Sequence, residues 1–232
     1  MGLEPDGIDA LSEPQSSFAP EPGDRAQTSR AQEESHWSRR EIVRTQTFWI
    51  ICFMYGMANV GIAGLNLHVF AYITDSGFSA LVAATALTII AATQLSSTLI
   101  WGWISEKMDI RYASMAMFVI EASGLVLAMS AVHVLGLYAG FFLYGIGLGG
   151  SFVLQELIWA TYFGRLSLGT VRGLGTLVTY AFGAAGAPFF GFVHDVTGSY
   201  QSSFLAFVVA LAVSAILSAA VRAPQKKSRA SD

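Results

Sequence analysis

At 232 residues the chain is long enough for one or two soluble domains, yet 53% of it is hydrophobic, only 12% is charged, and its mean hydropathy is +0.53. A soluble domain carries about 25% charged residues, so composition argues against a water-soluble enzyme and points to a polytopic helical membrane protein. The formal charge of -3 selects no partner, because both signs are concentrated in the tails, and nothing basic enough for nucleic acid is present. Cys52 is the single cysteine, which excludes an intrachain disulfide.

Residues 1–36 are rich in Pro, Ser, Gln, Glu and Asp and carry almost no apolar periodicity, so they read as a disordered cytoplasmic segment rather than a signal peptide. Residues 37–46 are basic and lead into the first apolar run. They read as a short interfacial helix, with Trp37 at the headgroup level and its arginines toward anionic lipid. Residues 47–221 then hold six apolar segments, near 47–74, 80–104, 112–131, 134–162, 170–194 and 202–221. Each can cross a hydrocarbon core of about 30 Å, which takes roughly 20 helical residues. The expected fold is therefore all-α, a bundle of six transmembrane helices, followed by a basic cytoplasmic tail over 222–232.

Orientation follows from the basic residues. Lys107, Arg111, Arg165 and Arg172 lie in or beside the second and fourth connections, and every other Lys or Arg lies in the two tails. The remaining turns offer Asp75, His133 and Asp195 instead. All 13 basic residues thus fall on one side, the positive-inside pattern. It predicts both termini in the cytoplasm and a multi-pass protein of the plasma or cell inner membrane.

Only ten Asp, Glu, Lys or Arg residues occur between Thr47 and Val221, and Glu106, Lys107, Asp109 and Arg111 share one short loop. Hydrocarbon will not hold such a cluster, so the chain surfaces there. The spacing Gly102-x-x-x-Glu106-Lys107-x-x-x-Arg111 resembles the signature loop of the major facilitator superfamily, with Glu for the usual Asp and Lys for the usual Arg. Further phrases extend the likeness: His68-Val-Phe-Ala-Tyr-Ile-Thr-Asp-Ser-Gly77, Tyr162-Phe-Gly-Arg165, Gly169-Thr-Val-Arg-Gly173 and His194-Asp-Val-Thr-Gly-Ser-Tyr200. In this order they resemble the C-terminal half of carriers related to the oxalate/formate and monocarboxylate transporters, over about residues 37–221.

That resemblance implies secondary transport of a small solute by a half-transporter whose N-terminal six-span half is missing, as in a truncated or split protein. The implied partners are the lipid bilayer, a small solute with proton coupling, and either an N-terminal half or a second copy in a homodimer. The loop at 102–111 would act as a latch, with Glu106 and Asp109 facing helix N-termini and Lys107 and Arg111 facing lipid or acidic partners. The competing reading is a membrane fragment or interaction module that transports nothing. The carriers of this group commonly hold a cation in the second or fifth span; here Thr98 occupies the second-span position and the fifth span has no Lys.

Within the spans, Glu121 lies near mid-bilayer and is a candidate for taking up and releasing a proton. It is also expected to face the solute cavity, as are Glu156 and His68. Glu156, beside Gln155, can alternatively be held by Arg165 or Arg172. His68, with Asn59 and Asn66 on neighbouring turns, is either a packing residue or part of the solute or proton path. Gln94, with Ser96 and Ser97, completes the set and can equally be interhelical glue.

Small residues recur four apart, at Gly136 and Gly140, Gly145 and Gly149, and Gly169 and Gly173. That spacing lets helix backbones meet in lipid, where no hydrophobic force draws helices together. Gly183, Gly186, Pro188 and Gly191 read as packing or as a bendable element. No metal-ligand spacing and no nucleophile elbow is present, so neither metal, cofactor nor enzyme chemistry is expected.

Overall fold

The computed structural model describes residues 37–224. The segment read as disordered (1–36) and most of the basic tail (225–232) lie outside the described residues. A short helix α1 (Arg39–Arg44) precedes the spans α2 (Gln46–Asp75), α3 (Ala80–Lys107), α4 (Ile110–Met129) and α5 (Val134–Phe163). After a 3-10 turn (Arg165–Ser167), the fifth span consists of α6 (Leu168–Ala184) and α7 (Gly186–Thr197), and α8 (Gln201–Ala220) is the sixth. Among the described residues all regular structure is helical, and six elements are long and apolar enough to cross a membrane.

The helix limits have local causes. Ser79 caps α3 by accepting from the Val82 N–H at 3.3 Å, and Asp109 caps α4 by accepting from the Arg111 N–H at 2.9 Å. The third span therefore starts at Ile110, inside the charged loop, rather than at 112. Gly198 ends α7 in the left-handed conformation, φ 70°, with its N–H on the His194 carbonyl, a position that glycine takes without a Cβ penalty. The break at Ala185 falls where it does because Pro188 has no N–H to give the carbonyl of Ala184, the last residue of α6.

Helix α4 packs between α5 and α8, α5 also packs on α3, and α2 packs on α6, α7 and α8. The α4–α5 seam is glycine-driven. A Cβ on Gly140 would meet the backbone of Ala128, one on Gly124 the backbone of Tyr144, and one on Gly147 would lie 2.6 Å from Glu121 Cβ. Gly145 and Gly149 meet α3 in the same way, at Ile90, Thr93, Gln94 and Ser97. The other spaced pairs behave differently. Gly169 and Gly173 have open space, and Gly136 touches only Ala131 across its own turn. Gly169 and Gly173 lie on the exposed face of α6.

The interior is unevenly shared. The most apolar windows of α2 and α5 are 61% buried, whereas those of α3 and the α6–α7 span are 28% and 17% buried. Two spans thus leave a broad face uncovered. The connections define two ends, a charged end at Met108–Asp109 and Gly164–Ser167 and a far end at 76–79, 130–133 and 198–200.

Helix α1 folds onto the charged end. Ser38 and Glu41 form a reciprocal capping box. Trp37 packs on the protein: it is 5% exposed, donates its N–H to Ser167 Oγ at 2.6 Å and sets its ring edge-on to Phe163.

Candidate functional site

Three spans contribute to one polar chain, Asn59 and Thr179 near the middle of their spans and Gln155 eight residues from the charged end of its own. Asn59 of α2 donates to the Tyr55 carbonyl at 2.7 Å and to Gln155 Oε1 at 3.3 Å. Gln155 of α5 in turn donates to Thr179 Oγ1 of α6 at 3.2 Å, and Thr179 donates to the Thr176 carbonyl. Small residues make this approach possible. A Cβ on Gly183 would touch Asn59, and one on Gly186 would run into the Val60 carbonyl.

Toward the charged end, Glu156 forms an ion pair with Arg172 at 2.5 Å. Both lie seven residues from the ends of their spans, about 10 Å inward at 1.5 Å per residue. Of the two partners open to Glu156, Arg172 is the one taken, because α6 begins at Leu168 and Arg172, Thr176 and Thr179 recur along one helical face. Arg172 is thus a cation on the fifth span, which the absence of Lys there had concealed. The pair is partly open, with side chains 57% and 39% exposed, and Asn66 and Tyr180 are exposed as well. The wall can offer a polar solute an amide, a hydroxyl and two opposed charges.

Glu121 does not face this wall. It is fully buried, accepting from Ser151 Oγ at 3.1 Å, while Ser151 also contacts Met117 sulfur. The bare backbone of Gly147 lets α5 close directly over the Cβ and main chain of Glu121. The expectation of a cavity-facing Glu121 is therefore corrected: the seam between α4 and α5 encloses it. His68 lies near the far end, bonded to Tyr200 and to the Ala187 carbonyl. Gln94 is half-buried on α3, where its carbonyl receives the Ser97 and Thr98 hydroxyls. Glu156 lies beside the polar chain rather than in it, next to Gln155 in sequence and paired with Arg172. Asn59, Gln155 and Thr179 form the chain itself.

The charged loop also differs in detail from the latch expected of it. Glu106 and Lys107 belong to the last turn of α3, and Lys107 lies over the Trp103 ring at 3.9 Å. Asp109 does cap α4, and it pairs with Arg111 at 3.2 Å instead of leaving that cation to lipid. The Arg111 backbone N–H, and then its guanidinium, hold the Asp109 carboxyl below the usual carboxylate range. Gly102 has open space around it.

The sequence profile described as Major Facilitator Superfamily matches residues 17–178. Monocarboxylate transporter 13 of Bos taurus is 31% identical over 156 residues, a stretch covering 64% of this chain and 35% of that protein. The Rattus norvegicus protein of the same name is 29% identical over the same shares. The matched stretch therefore spans about a third of the length of these relatives.

Proposed function

The chain belongs to the major facilitator superfamily and is an integral multi-pass membrane transporter, and from that premise we propose that its six spans form one wall of a solute path. The observation that carries this reading is the chain Asn59–Gln155–Thr179, with the Glu156–Arg172 pair beside it. An ionisable pair inside a membrane-spanning segment, here Glu156 and Arg172, marks a solute or ion path by default, and the neighbouring amides and hydroxyl extend its polar surface. The uncovered faces of α3 and α6–α7 receive a second six-span bundle, which belongs either to the same longer polypeptide or to another copy.

The relatives' name suggests a monocarboxylate, and the ion pair offers one way to accept it. While Glu156 is ionised it occupies Arg172. A proton on Glu156 removes that competitor, and the solute carboxylate takes its place on the guanidinium, so proton and anion move together. Glu156 then fills the proton-carrying role first assigned to Glu121. The test is uptake of labelled lactate into liposomes. The chain alone is expected to be silent, whereas co-reconstitution with an N-terminal six-span half restores saturable uptake that Glu156→Gln abolishes and Glu121→Gln spares. Saturable uptake by verified monomers would overturn the half-path reading.

The same reading assigns the charged end to the cytoplasm, because every Lys and Arg except Arg172, which lies inside the fifth span, belongs to the tails or to the connections and adjoining helix turns at that end. In a Cys52→Ala background, an impermeant thiol reagent added to intact cells is expected to label cysteines placed at Ser76 or Ser199 and to miss one at Ser105. Labelling at Ser105 would reverse the orientation.

A further inference from the structure

The far end of the bundle contains a half-helix with little holding it. Beyond the break at Ala185, α7 buries only Gly186 and Phe190. Two histidines tie it to its neighbours. His68 of α2 donates from Nε2 to the Ala187 carbonyl in the first turn of α7, at 3.2 Å. A carbonyl can only accept, so the proton is on Nε2, and Nδ1 of the neutral ring accepts from the Tyr200 hydroxyl at 3.3 Å. His194 of α7 stacks on Tyr200 with ring centroids 4.1 Å apart. Its Nε2 lies 3.9 Å from Asp75 Oδ2, at the end of α2, and its Nδ1 lies 3.8 Å from Asp195 Oδ1. Water reaches this cluster: the Asp75 and His194 side chains are 62% and 33% exposed, and a cavity of about 290 Å³ opens beside Asp75, Ser76 and Tyr200.

We propose that these residues form a proton-operated latch, in which acid draws the half-helix α7 onto the end of α2 and alkali releases it. Both histidines act in the same direction. Neutral His194 is too far from either carboxylate for a hydrogen bond. Once protonated it has a donor on each nitrogen, one toward Asp75 and one toward Asp195, and the resulting bonds are charge-assisted. His68 keeps its bond to Ala187 in both states. On gaining a proton at Nδ1, that bond becomes charge-assisted and the Tyr200 hydroxyl turns from donor to acceptor. The other groups around the cluster are Tyr72 on α2 and Tyr200 ahead of α8, while α4, α5 and their connection bring only Ala128, Met129, Ala131 and Leu137 to the cavity. The two new positive charges are separated by Tyr200 and offset by Asp75 and Asp195.

The latch stands on its own geometry, whatever the bundle carries, and it is read on the chain alone. Nitroxide labels on cysteines at Ser76 and Val196, in the Cys52→Ala background, report the separation of the ends of α2 and α7 by pulsed electron resonance. Histidine is the side chain that changes charge between about pH 5 and about pH 8. Over that range, acidification is expected to shorten the mean distance and narrow its distribution. His194→Gln should remove most of the shift. Adding His68→Gln, whose amide still reaches a carbonyl but bears no charge, should remove the remainder. A distribution that is unchanged with pH in the unsubstituted chain would overturn the latch, and so would a full shift in the doubly substituted one.

Discussion

Gly124→Leu is expected to abolish assembly of the six-helix bundle. A Cβ at Gly124 would lie 2.7 Å from Tyr144 Cα and 2.8 Å from the Gly140 carbonyl oxygen. Both are main-chain atoms, so no rotamer change can clear them and α4 must part from α5. Parting also loses the close contacts of Gly140 with Ala128 and of Gly147 with Glu121. Between helices in lipid no hydrophobic force compensates for lost packing. Overpacking a core with side chains costs about 1–3 kcal/mol, and a clash with backbone on both sides exceeds that. Gly136→Leu is the control, since only Ala131 lies near, at 3.5 Å. Gly149→Leu falls between the two, meeting the Ser97 side chain and the Gln94 carbonyl. Monodispersity in detergent and thermal unfolding measure the series. Equal behaviour of Gly124→Leu and Gly136→Leu would mean that the α4–α5 seam is not a tight interface.

Gln155→Leu is expected to eliminate uptake while leaving the fold intact. The separation of the two effects follows from the partners of Gln155. Asn59 keeps its bond to the Tyr55 carbonyl, and Thr179 keeps its bond to the Thr176 carbonyl. Neither is orphaned when the amide is lost, so the penalty for a buried unpaired group is avoided. Stability should fall by no more than about 1–2 kcal/mol, since two interhelical hydrogen bonds are lost and each averages about 0.6 kcal/mol in a membrane. Uptake by the co-reconstituted transporter should fall by at least about tenfold, equivalent to 1.4 kcal/mol of lost solute interaction. Normal unfolding with unchanged uptake would remove the polar chain from the solute path.

Composition made the architecture legible. Each apolar run between polar turns had to become a helix, because only internal hydrogen bonding satisfies backbone groups in hydrocarbon. The spans found at Gln46–Asp75, Ala80–Lys107, Ile110–Met129, Val134–Phe163, Arg165–Thr197 and Gln201–Ala220 follow those runs closely. The charged loop and the phrases around it also carried the family. The break in the fifth span was readable too, since the effect of Pro188 on the carbonyl four residues back is local chemistry.

The site was less legible, because it depends on which helix faces which. Glu121 and Glu156 are both carboxyls set in apolar helices, and nothing in their flanks separates them. Tertiary packing sealed Glu121 beneath Gly147 and opened Glu156 toward Arg172. Asn59, Gln155 and Thr179 lie far apart in the chain and share no spacing motif, and they meet because glycines on the fifth span admit α2. Gly124 escaped a search for glycine pairs because the small residue four positions on is Ala128, which packs against Gly140 as Gly124 packs against Tyr144. The sequence by itself determined what must lie in the membrane and where the chain must turn, since transfer from water to hydrocarbon acts on each segment separately. Only the tertiary structure decided which polar groups meet, because that depends on helix rotation and closeness of approach, and these are set by contacts between segments.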